Sequence, residues 1–271
     1  MKVEKEPSRA SFRFYAELND HLPLEQQYRT LEKAFFTPTT VKDMVESFGV
    51  PHTEIDLIVA NGQSVDFSYL VQHGDRIAVY PMFESFDVTP EQRLRPQPLR
   101  NMKFVLDVHL GKLAAYLRML GFDAEYGRSL TDARLAQISA SEHRILLTRD
   151  RGLLKHGAIT HGYWVRETNS RRQIVEVVRR FNLARAVRPL TRCMACNGIL
   201  EPVSKEQARN LVPGRPIELY DEFHRCEQCR RIYWKGSHYL RMRRWIKELV
   251  CEAGESTRPK SLELAFPSTW K

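Results

Sequence analysis

The sequence predicts an α/β protein: a parallel-sheet domain with a C-terminal metal ribbon, preceded by a small α+β domain. Three observations predict it. Strand and helix patterns alternate over residues 101–187, as a parallel sheet requires. Two CxxC pairs follow, Cys193 with Cys196 and Cys226 with Cys229. A strand, a helix, a hairpin and a closing strand crowd into residues 9–82. The chain's 271 residues are enough for more than one core.

In the first segment, "SFRFYAEL" alternates Phe12, Phe14 and Ala16 with polar partners and reads as a strand. "TTVKDMVESFGV" reads as a helix capped at Thr39 or Thr40, with Val41, Met44, Val45 and Phe48 on one face and Gly49 as its stop. "IDLIVANGQSVDF" is two strands around Asn61-Gly62, a strong hairpin signal. "DRIAVYP" is a last short strand. This order resembles the β-grasp fold of ubiquitin-like and sulfur-carrier domains. A carrier of that type needs a free Gly-Gly end, whereas this strand continues as "YPMFESFDV". The resemblance therefore implies docking, with a protein partner as the expectation, or simple packing on a neighbouring domain.

Residues 83–100 hold Pro90, Pro96 and Pro98 with little periodicity and read as a linker. In the second segment, 101–187, "MKFVLDV" is a buried strand. "LGKLAAYLRMLGF" is a helix striped by Leu110, Leu113, Ala114, Leu117 and Leu120. "SLTDARLAQISASEHR" is a helix capped near Ser129 or Thr131, with Asp132 in its first turn. "ILLT" and "GYWVRE" are strands, and "SRRQIVEVVRRFNL" is a basic helix with Ile174, Val177, Val178 and Phe181 inward. Residues 188–250 form the cysteine ribbon and a basic helix, and 251–271 a tail.

Charge is unevenly spread. Residues 1–95 carry 10 Lys/Arg against 15 Asp/Glu, 96–187 carry 16 against 8, and 188–271 carry 16 against 10. The net charges of −5, +8 and +6 sum to the chain's +9. A basic body with an acidic appendage fits nucleic-acid binding, or a merely soluble basic surface. No apolar run approaches the length of about 18 residues that a membrane span needs. "MKVEKEPSRA" lacks a signal-peptide core, so a cytoplasmic location and no membrane partner are expected.

Each CxxC is a compact chelate, and four thiolates make a closed tetrahedral site. Zinc at Cys193, Cys196, Cys226 and Cys229 is the expectation, with a structural role; paired redox dithiols are the alternative. The 29 residues between the pairs leave room for a hairpin or an insertion. Cys251 reads as a buried apolar thiol and His224 as a spare ligand. Basic residues interleave with aromatics from Arg230 to Trp245, a composition suited to RNA or to a core with a solvated basic face.

Asp107 ends "KFVLD" and Asp150 lies two residues past "ILLT", where an open parallel sheet places its ligands. Asp132, starting a helix, can serve the same edge. Three such carboxylates suit a hard divalent cation, Mg²⁺ or Mn²⁺, for phosphodiester hydrolysis. Each also has a structural reading: a helix cap for Asp107 and Asp132, a turn pair with Arg149 or Arg151 for Asp150. Lys112, Arg149, Arg151 and Lys155, with Arg230 and Arg231 on the ribbon, are the candidate contacts to a phosphate backbone. His109 and His156 are candidates for proton transfer.

"FVLDVHLGKLAAYLRMLGFDAEY" and "RILLTRDRGL", with the cysteine pairs, resemble the Mut-seven C-terminal RNase family over about residues 101–240. That family is PIN-like, and a ubiquitin-like domain is a known companion of it. The resemblance implies a divalent-metal-dependent ribonuclease, in endonuclease form, with Asp107, Asp132 and Asp150 at its acidic positions. The family often has two acids in a row where this chain has "TDAR", so a fourth acid is sought at Glu167, Asp123 or Glu125. The alternative is a non-catalytic RNA-binding or adaptor protein with a vestigial site.

Overall fold

The computed structural model describes residues 6–81, 102–209, 211–212, 214 and 216–254. The expected linker at 83–100, and residues 255–271 of the expected tail, lie outside the described residues. The chain divides into two compact units, Met1–Asn101 with Ala136–Trp164, and Met102–Leu135 with Val165–Lys271.

The chain opens with β1 (Ser8–Phe14), β2 (Thr30–Phe35), α1 (Val41–Ser47), β3 (Ile55–Ala60), β4 (Gln63–Val65) and β5 (Arg76–Pro81). These strands form one sheet in the order β2-β1-β5-β3-β4. β1 runs parallel to β5, and the other pairings are antiparallel. Phe12, Phe14, Val41, Val45, Ile58 and Val79 fill the core beneath α1, burying its apolar stripe. Thr40 caps α1 by accepting the Asp43 N–H at 3.1 Å. Asn61 and Gly62 both have positive φ, 52° and 85°, which the tight β3–β4 turn requires. This is the β-grasp arrangement. The sequence pattern does not mark β2, because no residue of that edge strand is fully buried.

The chain continues through β6 (Lys103–Leu106), α2 (Gly111–Met119), β7 (Asp123–Tyr126), α3 (Asp132–Glu142), β8 (Ile145–Thr148), β9 (Gly162–Trp164) and α4 (Ser170–Arg180). β6 and β7 pair in parallel from Lys103↔Asp123 to Leu106↔Tyr126. β8 and β9 pair in parallel from Leu146↔Gly162 to Thr148↔Trp164. β6 and β8 are almost wholly buried, the mark of strands in parallel sheets. The short β7 escapes the sequence pattern; it alternates acids with Ala124 and Tyr126 and carries little apolar signal.

Within the first unit, the β-grasp part holds the β8–β9 segment through buried polar contacts. Glu54 is 2% exposed. One of its oxygens pairs with His21 Nε2 at 2.8 Å, and the other accepts the Trp164 backbone N–H. His52 Nε2 donates to the Ile159 carbonyl at 2.9 Å, with Glu46 2.6 Å from Nδ1. Thr53 Oγ1 donates to the Leu154 carbonyl, and Lys155 Nζ to that of Glu46. Buried polar groups are costly unless paired, so these contacts fix one arrangement.

In the second unit, α2 ends at Gly121, whose φ is +93°. A Cβ there would lie 2.0 Å from the Arg188 carbonyl oxygen, so only glycine fits. α4 is capped by Asn169, which accepts the Arg171 N–H at 2.9 Å, and buries Ile174, Val177 and Val178 as expected. β10 (Leu200–Val203), α5 (Lys205–Arg209), α6 (Pro216–Leu219), β11 (Phe223–Cys226) and β12 (Ile232–Trp234) follow, with the three strands antiparallel. The long spacer between the cysteine pairs is thus an insertion with its own small core of Ala208, Val212, Ile217 and Phe223. α7 (Ser237–Gly254) runs past the expected boundary at 250 and buries Ile246, Leu249, Val250 and Ala253. Cys251 falls off that stripe and is exposed, which corrects its reading as a buried thiol.

Two substitutions test these contacts. Gly121→Ala forces both a disfavoured φ and a clash with main chain, and should cost about 2 kcal/mol or more in denaturant unfolding. Glu54→Ala leaves His21 and the Trp164 N–H buried without their acceptor, and should cost about 3 kcal/mol. It should also speed exchange of the Trp164 amide.

Candidate functional site

Asp107 follows β6 directly and is 7% exposed. It precedes a single 3-10 turn, Val108–Leu110, yet its side chain makes no capping hydrogen bond there. The cap reading of Asp107 is therefore not realised. Asp132 starts α3 and is exposed. Thr131 Oγ1 accepts the Arg134 N–H at 3.4 Å, so the threonine and not Asp132 serves that helix start.

Asp150 is exposed, and its turn is built from its own segment. Its N–H donates to Thr148 Oγ1 at 2.9 Å, and its Oδ1 accepts the Gly152 N–H at 2.7 Å. This is a local Asx turn. Among the described residues Asp150 makes no ion pair with Arg149 or Arg151. The Arg151 guanidinium instead lies 4.9 Å from the centroid of the Trp164 ring.

Of the acids sought as a fourth ligand, Asp123 has side-chain partners of its own. Asp123 accepts Asn197 Nδ2 at 2.7 Å and Arg192 at 3.2 Å, so it clamps the cysteine ribbon to β7. Glu125 lies near the buried Arg118. Glu167 enters through its main chain: its N–H donates to Glu176 at 3.0 Å and its carbonyl accepts Gln173 at 2.9 Å. Glu176, which the sequence gives no reason to single out, takes the main-chain N–H groups of both Arg166 and Glu167.

Of the candidate RNA contacts, Lys112, Arg149, Arg230 and Arg231 are exposed. Lys155 is only half-exposed and is bonded to Glu46, which removes it from the open cations. His109 and His156 are exposed. The aromatics interleaved with the ribbon's basic residues mostly pack inward. Tyr239 is buried, Trp245 packs on Tyr116 at 4.8 Å, and Tyr233 OH lies 3.0 Å from Cys193 Sγ.

The four cysteines are the one group of three or more His, Cys, Asp or Glu among the described residues whose donor atoms lie within 4.8 Å of one another. The two knuckles repeat one backbone design. Cys193 and Cys226 each accept the N–H four residues on, from Asn197 and Arg230. Each also donates to the carbonyl five residues on, of Gly198 and Arg231. Asn197 and Arg230 are both left-handed, with φ of 72° and 62°. The sulfurs of Cys193 and Cys229 are 3.5 Å apart, and those of Cys196 and Cys226 3.4 Å. A tetrahedral ion with sulfur arms of 2.3 Å needs spacings of about 3.8 Å. The set therefore fits a structural metal such as zinc.

The electrostatics agree. Burial pushes the Cys193 thiol up, but the Tyr233 hydroxyl and the Cys196 and Ala195 N–H groups more than offset it, leaving its pKa at about 7. Burial and the neighbouring sulfurs push Cys229 up to about 12. The Cys193 thiolate forms readily while Cys229 resists a second charge, unless a cation sits among the sulfurs. His224, whose pKa burial lowers, stands outside the ligand set.

Two family models match this chain. The Mut7-C RNAse domain matches residues 102–246, more than half of the sequence. The chain belongs to the Mut7-C RNAse domain family. The Mut7-C ubiquitin model matches residues 8–87, in agreement with the β-grasp sheet. No curated protein matches it. Membership supports a ribonuclease kind of activity for the Mut7-C part. No helix among the described residues is long and apolar enough to cross a membrane.

The cysteine geometry predicts one tightly held metal equivalent per chain, measurable by plasma emission. Cys226→Ser should lose it and, because metal binding is folding free energy here, deprotect amides 193–234 in hydrogen exchange while leaving 8–81 unchanged.

Proposed function

We propose that this chain is a divalent-metal-dependent ribonuclease that hydrolyses RNA phosphodiester bonds, acting as an endonuclease. Match to the Mut7-C RNAse domain is the observation that carries this reading. Two further facts support it. Asp107 sits at the C-terminal end of a parallel strand and is not used as a cap. Asp150 follows a second such strand, is exposed, and is held in its turn by Thr148 and Gly152.

Asp107, Asp132 and Asp150 would hold Mg²⁺ or Mn²⁺. Such an ion, when bound, activates water and neutralises charge on the phosphoryl group. The protein's part is to present carboxylates on strand and helix ends, with Thr148 and Gly152 fixing the Asp150 turn. Lys112, Arg149, Arg151, Arg230 and Arg231 grip phosphate, Arg151 pre-oriented by its stack on Trp164. Zinc on the four cysteines is structural, since a closed Cys₄ site leaves no position for substrate. The ubiquitin-like domain serves first to hold the Asp150 segment, through Glu54, Thr53 and His52. Its remaining surface engages a protein partner.

One observation favours a second reading, an RNA-binding or adaptor protein with a vestigial site. The group of metal-ligand spacing found among the described residues is the four cysteines.

Cleavage of structured and unstructured RNA with Mn²⁺ or Mg²⁺ decides between them. Asp107→Asn and Asp150→Asn should each lower the rate on the order of 100-fold or more, with zinc content unchanged. Full activity in both variants would reject the site; no cleavage by the unaltered chain would favour the adaptor. Lys112→Ala should weaken substrate binding and flatten its salt dependence by about 0.7 in log–log slope.

A further inference from the structure

The outer face of the β-grasp sheet has no part in the reading above. Alternation along β1 sends Ala10, Phe12 and Phe14 into the core and leaves Arg9 and Arg13 exposed, with Ser11 between them. The β1–β5 register sets Arg76 beside Ser11 and Ala78 beside Arg13. Arg76 is also exposed. Tyr15, just past β1, stacks on Tyr80 with centroids 4.4 Å apart and planes 14° apart. The Arg13 guanidinium lies 5.7 Å from the centroid of the Tyr15 ring.

Ser11 and Ala78 are short, so the sheet surface sinks between the longer side chains around them. The resulting open depression has a volume of about 620 Å³. Arg13, Arg76 and Tyr15 line it together with uncharged residues such as Thr30, Val59 and Asn61. Residues 1–95 carry a net charge of −5, so this cationic face runs against the sign of its own segment. Glu32, opposite Ser11 on the edge strand, is the acid that shares this row of the sheet.

We propose that this face is a binding surface for single-stranded RNA. The proposal rests on the reading of RNA as the chain's substrate class. Arg13 and Arg76 grip phosphates bidentately, and the Arg13–Tyr15–Tyr80 stack offers planar groups to unstacked bases. A duplex is disfavoured, because its bases are not available to stack. An acidic protein segment would use the arginines but has no need of the aromatic stack.

The test uses the full chain, a fluorescent 20-nucleotide oligo(U) and buffer without added Mg²⁺ or Mn²⁺. Binding is read by anisotropy against salt. The double variant R13A/R76A should weaken binding about tenfold and lower the log–log salt slope by about 1.4, with its melting temperature unchanged. Tyr15→Ala should weaken binding about tenfold at every salt concentration, and Tyr15→Phe should restore it. Equal affinity of the unaltered chain and the double variant overturns the proposal. So does arginine-dependent capture of a poly-glutamate peptide more tightly than oligo(U), which would give the face to a protein partner. Cleavage is not read, so a chain that binds RNA here and never cuts it sustains this proposal while failing the nuclease reading.

Discussion

A buried guanidinium holds the second unit together. Arg118, on α2 and 4% exposed, donates through Nε to the Ala124 carbonyl of β7 at 2.8 Å. Its Nη1 donates to the carbonyls of Ala195 at 3.0 Å and Met194 at 3.3 Å, both inside the first cysteine knuckle. A buried charge is tolerated only when its hydrogen bonds are made and counter-charge is near. Both conditions hold, with Glu125 and the Cys196 and Cys193 sulfurs supplying the counter-charge that works against burial. The ribbon is therefore part of the fold of this unit and not a separate bead on the chain. Asn197 and Arg192 complete the clamp on β7.

A different logic operates in the first unit. There the ubiquitin-like part grips the strand-turn segment that carries Asp150, through side chains that have left water. His21 and Glu54 are both fully buried as side chains. Such contacts are selective more than strong, because each group lost from them leaves its partner without water or protein to bond. This gives a ubiquitin-like domain without a Gly-Gly end an internal role, and leaves its sheet face open for an external one.

The carboxylates follow from these two frames. Asp107 and Asp150 each lie just beyond a buried parallel strand. Thr131 takes the α3 cap, Trp164 takes Arg151, and the ribbon takes Asp123.

The sequence by itself determined whatever depends on local pattern. Alternation and 3.6-residue periodicity marked β1, β3, β8, α2 and α4; Asn61-Gly62 marked a turn; two CxxC pairs marked a metal site. These signals are carried by residues near one another in the chain. Only tertiary structure decided the rest. β2 and β7 lack a buried apolar face or run, and exist because a neighbouring strand offers its hydrogen bonds. Cys251 is exposed because α7 turns its buried stripe elsewhere. Asp123 became a clamp and Lys155 a tether because partners 69 and 109 residues distant met them. A side chain's role is fixed by what it meets, and what it meets is set by packing between distant segments.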